Sequence, residues 1–158
     1  MEQTDSIIIR SATVDDLNTL LQFEQGVIEA ERPFDPTLKS GHIDYYDLNE
    51  MIEATHTELA VAELNNQVIA SGYARIKQAQ RDCYTYEKYA YLGFMYVVPE
   101  YRGRGIINKI IDHLKAWAIA QNLNELRLEV YTENEPAVKA YEKIGFSKLI
   151  TEMRMPVE

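Results

Sequence analysis

The run from Tyr91 to Val98, YLGFMYVV, does most to limit how this chain can fold. It holds no charged residue, and apolar side chains fall on both of its alternating sets. A strand with one wet face alternates apolar and polar residues. This one does not, so it is expected to be buried on both faces, in a sheet with helices above and below. It is too short to cross a bilayer. Pro99, which lacks an N–H for a ladder bond, ends it. The segment EYRGRGIINKII follows, a small and basic turn opening a helix whose apolar stripe is Ile107, Ile110, Ile111, Leu114 and Ala118.

The rest of the chain supplies the sheet and its covering helices. SIIIR reads as a short β-branched strand. ATVDDLNTLLQFEQGVIEA reads as a helix capped by Thr13, with Asp16 three residues on. ERPFDPTLKSG is a loop, and a short helix is expected around Tyr45 to Ala54. TELAVAEL and VIASGYARIKQ flank a turn at Asn65 and Asn66, which predicts a β-hairpin. ELRLEVY alternates as a strand, and NEPAVKAYEKIG reads as a helix with Asn134 as cap and Gly145 at its end. FSKLITEMRMPV is expected to close the fold with one or two strands. The predicted order β-α-α-β-β-β-α-β-α-β-β describes a single α/β domain over residues 1–158, an α+β mixed sheet with helices on both faces.

Composition narrows the function. The net charge is −9, so a phosphate backbone is repelled on average and a nucleic-acid partner is not expected. Between Glu24 and Glu58 nine acids face two bases, a field that attracts cations if it is more than a solvated surface. Cys83 is the single cysteine, which excludes an internal disulfide and fits a cytoplasmic location. The start MEQTDS is unlike a signal peptide, and no membrane partner is expected. His42, His56 and His113 lack metal-ligand spacing, so no metal is expected.

The RGRG turn sits between a buried strand and a helix. A helix start carries unpaired N–H groups and the positive end of the dipole, and it binds phosphate well. Gly103 and Gly105 let the backbone approach an anion and adopt unusual dihedrals. Arg102 and Arg104 add donors that suit phosphate oxygens. A P-loop is excluded, because GxxxxGK[ST] is absent. A second cluster lies downstream, where Asn134 and Tyr141 are seven residues apart on one helical face, roughly 10 Å along the axis. Ala137 lies between them, small enough for a ligand to pass.

These two motifs together resemble the GNAT superfamily of acetyl-coenzyme-A-dependent N-acetyltransferases. Arg102, Gly105 and Ile107 stand at the places of the family's Q/R-x-x-G-x-G/A signature. Asn134, Ala137, Tyr141, Gly145 and Phe146 match its second signature. The resemblance implies the GNAT fold, a mostly antiparallel sheet with parallel, splayed fourth and fifth strands. It implies acetyl-CoA as co-substrate. Arg102, Gly103, Arg104, Gly105, Ile106, Ile107 and Asn108 would cradle the pyrophosphate. The backbone of Met95, Tyr96 and Val97 would pair with the pantetheine arm, with Asn134 and Ala137 beside it. Tyr141 would sit near the thioester sulfur. Ile107 departs from the usual Gly or Ala. It either turns into the core or loosens the cradle.

Acetyl transfer to an amine requires loss of the amine's proton, donors for the oxyanion and a proton for the departing thiolate. Tyr141 fits the last role. The carboxylate that many members carry on the fourth strand is missing, since Gly93 and Phe94 occupy those places. Glu129, on the predicted fifth strand, is the next candidate base. Its spacing to Asn134 and Tyr141 resembles the ribosomal-protein N-terminal acetyltransferases. Glu87, Tyr84, Tyr86, Tyr89 and Tyr91 remain in reserve, acting through water. The acids and tyrosines of EQGVIEAERPFDP, GHIDYYDLNE and RDCYTYEKYAY suit a cationic small-molecule or peptide amine as acceptor. A catalytically silent acyl-CoA-binding regulator of the same fold is the alternative, and the chain is expected to be a monomer or homodimer.

Overall fold

The computed structural model describes residues 6–158. A five-stranded sheet in the order β1-β2-β3-β4-β5 organises it. β1 (Ile8–Ser11), β2 (Thr57–Leu64), β3 (Gln67–Gln78) and β4 (Lys88–Val97) are antiparallel neighbours, and β5 (Leu126–Leu128) joins β4 in parallel. The helices are α1 (Leu17–Glu31), α2 (Leu48–Glu53), α3 (Ile106–Ala120) and α4 (Glu135–Ile144). The mixed sheet with one parallel pair is the arrangement expected from the sequence.

Strand alternation sorts the core into two layers. In β2, Ala60, Ala62 and Leu64 face α3 and pack with Ile106, Ile110, Leu114 and Ala118. Leu59 and Val61 point the other way, toward Leu20, Phe23 and Val27 of α1 and Leu48 and Met51 of α2. Each of the leucine, isoleucine, valine, phenylalanine and methionine side chains contributes roughly 1.5–3 kcal/mol when fully buried, so both helical layers are held by burial. The hairpin between β2 and β3 turns on Asn65 (φ 50°) and Asn66 (φ 64°). Two successive positive φ values match the right-handed twist of the flanking strands, and asparagine tolerates them.

β4 carries the decisive irregularity. Ser71 pairs with Tyr96 and Tyr73 with Gly93, so Phe94 and Met95 together stand opposite Gly72. This is a bulge, with Phe94 at φ 56°. It lies one residue beyond Gly93, where a Cβ would lie 2.7 Å from the Tyr73 ring. The β4–β5 ladder runs only from Ala90 and Leu126 to Leu92 and Leu128, then the strands part.

Two expectations are corrected. The strand read from ELRLEVY is three residues long, and Glu129 falls just past its end, because beyond Leu92 the bulged β4 no longer offers a partner. The closing strands read from FSKLITEMRMPV do not form. Residues 146–158 carry no helix, strand, turn or bend. Strand propensity alone does not build a ladder.

Asp16 joins the first strand to the first helix. It accepts from Arg10 Nη1 at 2.8 Å and Nη2 at 3.0 Å and from the Thr13 N–H at 2.8 Å, while Arg10 Nε reaches Glu63 on β2. The Arg10 pair holds the Asp16 carboxyl below its ordinary value of 3.8. A depressed carboxyl contributes stability above that ordinary value and loses it as pH falls through the folded-state one. Asp16→Asn is expected to cost roughly 1–3 kcal/mol at pH 7. Denaturant unfolding should show the gap from wild type narrowing steadily below pH 3.8.

Candidate active site

The turn after β4 has the geometry of an anion cradle. A short 3-10 turn, Pro99–Tyr101, leads into Arg102 to Gly105. Gly103 (φ 77°) and Gly105 (φ 73°) are both left-handed, and a Cβ on either would meet nothing within 4 Å. The dihedral, not crowding, therefore demands glycine, and the space in front is open. Gly105 caps α3 without a side-chain bond. The first i→i−4 bond of the helix is Lys109 N–H to Gly105 O at 3.3 Å, so the N–H groups of Ile106, Ile107 and Asn108 have no helical acceptor. Ile106 is buried and Ile107 packs against the α3 core, so the branched residue turns inward and leaves the cradle clear. Arg102 Nε donates to Val97 O at 2.9 Å and braces the strand end. Arg104 is exposed beside the Tyr101 ring, at 5.2 Å.

Beyond the bulge, β4 has an open edge. The Val98 N–H donates to Ile69 O on β3. Backbone groups alternate along a strand, so Met95 and Val97 turn theirs to the open side. Tyr96 pairs inward with Ser71, and its ring packs on Phe23 at 4.8 Å. Across the gap, Asn134 caps α4, its side-chain oxygen accepting from the Ala137 N–H at 3.4 Å. Tyr141 lies on the half-buried face of α4 with its ring edge-on to Phe146. Burial, and then the charge of Glu31, raise its pKa, so it holds its proton at neutral pH.

Carboxylates and phenols close the other side. Glu31, the last residue of α1, is half-buried and accepts from the Tyr45 hydroxyl at 2.8 Å. Burial pushes its pKa up. Its charge also reaches Tyr46 and Tyr131. Asp35 accepts from the Tyr131 hydroxyl at 3.1 Å, and burial with this bond takes Tyr131 up to about 12. Glu129 lies beside the Tyr91 hydroxyl, whose pKa is raised by burial and then by that carboxylate. Glu24 holds the wall in place. It is fully buried, its Oε2 accepting from the Tyr45 and Tyr46 N–H groups at 2.9 and 2.7 Å, while Oε1 has no partner.

A family model for the acetyltransferase (GNAT) family matches residues 24–146, well over half of the chain. The chain belongs to the acetyltransferase (GNAT) family. It is similar to an N-alpha-acetyltransferase of Saccharolobus solfataricus, 24% identical over 149 residues, covering 89% of this chain and 80% of that protein. It also resembles a streptothricin acetyltransferase of Escherichia coli, 35% identical over 63 residues, which is 40% of this chain and 36% of that protein. A Clostridium acetobutylicum acetyltransferase crystallised with acetyl-CoA shares the fold at a TM-score of 0.70, with 21% identity and 96% of each chain covered.

As a GNAT member the chain is an acetyl-CoA-dependent N-acetyltransferase. Asn134 caps α4 and Tyr141 lies within it, seven residues on. Glu24, Glu31 and Asp35 belong to the EQGVIEAERPFDP segment expected to suit a cationic amine, but none was singled out, and a loop reading from Glu31 hid that it is the last residue of α1. Tyr86 and Tyr89, held in reserve as proton carriers, instead lie at 4.6 and 5.1 Å from the Arg127 guanidinium. Among the described residues no group of three His, Cys, Asp or Glu could hold a metal, and no helix is long and apolar enough to cross a membrane.

Gly105→Ala puts a Cβ on a left-handed residue, a strain of roughly 1–2 kcal/mol, and it tilts the first N–H groups of α3. Steady-state kinetics should show KM for acetyl-CoA rising roughly tenfold, the equivalent of ~1.4 kcal/mol, with kcat little changed.

Proposed function

We propose that this acetyltransferase acetylates a primary amine that arrives as a cation, on a small molecule or a peptide. One observation carries this reading. Glu31 and Asp35 accept from the Tyr45 and Tyr131 hydroxyls, Glu129 lies beside Tyr91, and the charge of Glu31 reaches Tyr46 and Tyr141. Carboxylates with low-dielectric aromatic walls concentrate cations. One relative is named for streptothricin and another for an N-alpha group, so both a small molecule and a peptide remain in range.

The cradle suits acetyl-CoA. The free N–H groups of Ile106, Ile107 and Asn108 would take pyrophosphate oxygens, helped by the helix dipole and by Arg104. Met95 and Val97 would bond the pantetheine arm as an added strand, and the amino group of Asn134, whose oxygen is spent on the cap, would hold it from the far side. Bulge N–H groups would receive the oxyanion.

An ammonium cannot attack a thioester until it loses its proton. Glu129 was the base expected from spacing. Glu31 has the stronger physical claim, because burial raises its affinity for a proton while Tyr45 orients it. Glu129 then anchors the cation together with Tyr91. Tyr141 would return a proton to the thiolate. Its raised pKa keeps that proton available but weakens the driving force, so orientation against the sulfur must do most of the work.

Thiol release measured across cationic, neutral and acidic amines tests the acceptor class. Cationic acceptors should lead, and a neutral or acidic acceptor that outperforms them all would sink the reading. For the base, kcat/KM of wild type should rise with pH through a value above the ordinary 4.5 as Glu31 loses its proton. Glu31→Gln should lower kcat/KM by roughly 10²–10⁴ and abolish that limb, whereas Glu129→Gln should mainly raise KM for the amine. The reverse pattern would return the base to Glu129. Tyr141→Phe should reduce kcat on the order of 10²-fold with both KM values nearly unchanged.

A further inference from the structure

Ser71 is a polar side chain with no solvent exposure, on a strand paired along both edges. Its own ladder partners are Val61 of β2 and Tyr96 of β4. Alanine fills nearby positions of the same strand, at Ala70 and Ala74, with equally little exposure. A buried hydroxyl carries a desolvation cost that alanine does not, unless a hydrogen bond offsets it. Ser71 makes one such bond: its Oγ donates to Phe94 O at 3.0 Å, at the bulge of β4.

That bond fixes a direction. None of the described peptide bonds is cis. In a planar trans peptide the C=O and the following N–H point opposite ways. Phe94 O points to Ser71 on β3, so the Met95 N–H points away from β3. Strand alternation gives the same answer, because Tyr96 turns its backbone groups to Ser71 and Met95 therefore turns away. Met95 has no partner in the ladder with β3 or with β5, and among the described residues its N–H has no turn or loop acceptor.

Three contacts hold this peptide still. The Phe94 ring is buried, 4.9 Å from the Tyr46 ring. The Met95 side chain lies over Gly72, where a Cβ would meet Met95 Sδ at 2.7 Å and Ile110 Cγ2 at 2.8 Å. Between them Ser71, mounted on a strand that cannot shift, holds the carbonyl. A donor aimed before charge develops stabilises an oxyanion with no reorganisation at the moment of reaction.

We propose that Ser71 is a positioning residue for acetyl transfer. By holding Phe94 C=O toward β3 it aims the Met95 N–H at the thioester carbonyl oxygen. This rests on the reading in which bulge N–H groups receive the oxyanion, and it names the donor and what orients it. The neutral amine's lone pair forms the C–N bond while the C=O π pair moves onto oxygen, where the Met95 N–H meets the charge. On collapse that pair re-forms C=O, and the C–S pair leaves on sulfur and takes the Tyr141 proton. The proton lost by nitrogen restores the phenol. Without the Ser71 hydroxyl, Phe94 C=O is unpaired and the peptide can rotate about ψ of Phe94 and φ of Met95. The N–H then loses its aim while the cradle at α3 is untouched.

Infrared difference spectra of the full chain with acetyl-CoA isotope-labelled at the thioester carbonyl, and no acceptor, read the bond directly. In wild type the carbonyl stretch should lie below that of free acetyl-CoA. In Ser71→Ala it should return most of the way to the free position. With the leading amine of the acceptor panel, kcat of Ser71→Ala should fall roughly ten- to hundredfold and both KM values should stay within about twofold. Ser71→Thr keeps the hydroxyl and should restore both the band shift and the rate. Ser71→Cys has the same shape and a weaker donor. It serves if the alanine variant does not fold, and its shift and rate should fall between wild type and the free or uncatalysed limits. A Ser71→Ala carbonyl shifted as far as wild type overturns the proposal, as does a Ser71→Thr enzyme as slow as Ser71→Ala. A wild-type carbonyl at the free position overturns the oxyanion reading and this proposal with it. The infrared arm needs no acceptor, so it stands whichever amine the protein takes.

Discussion

The bulge in β4 is the constraint from which the site follows. Two residues, Phe94 and Met95, face one, Gly72, and the strand turns away from β5 after three paired residues. The divergence frees the Met95 and Val97 edge and ends β5 short of Glu129. A phenylalanine at positive φ costs roughly 1–2 kcal/mol. Burial at 2% exposure, contact with the Tyr46 ring at 4.9 Å and a bond from Ser71 Oγ to Phe94 O offset it. The neighbours cooperate: a Cβ on Gly72 would meet Met95 Sδ at 2.7 Å, and one on Gly93 would meet Tyr73.

Electrostatics set the character of the other wall. Carboxylates there are held by phenols and backbone N–H groups, and among the described residues no arginine or lysine forms an ion pair with Glu24 or Glu31. A buried carboxylate without a cation is costly unless hydrogen bonds satisfy it. Glu24 meets that demand on one oxygen only. The segment carrying Tyr45 and Tyr46 is thereby tied to α1. By contrast Arg10 fully engages Asp16 and Glu63 at the far end of α1, where the chain needs rigidity and not a binding field.

Much of this was legible before folding. Asn65 and Asn66 announced their positive φ values through side chains that tolerate them, and Gly103 and Gly105 did the same for the cradle. Asn134 and Tyr141 share a helical face by spacing alone. Glu31 was not legible, because its importance depends on where α1 stops and what Tyr45 brings to it across fourteen residues. Nor was the state of the tail. Its alternation suits a strand, but whether that strand forms depends on the edge that tertiary structure places beside it.

What the sequence by itself determined is local: strand and helix periods, turn dihedrals, the unpaired N–H groups of a glycine-capped helix, and the family to which such a combination is similar. These depend on neighbours a few residues apart. Tertiary structure alone decided that Ile107 packs against the core, that Glu129 falls beyond β5 and that Glu24 is buried against the Tyr45 and Tyr46 backbone. Each of these outcomes depends on packing between segments distant in the chain, where burial and the direction of a bulged strand choose among conformations that local preference leaves equal.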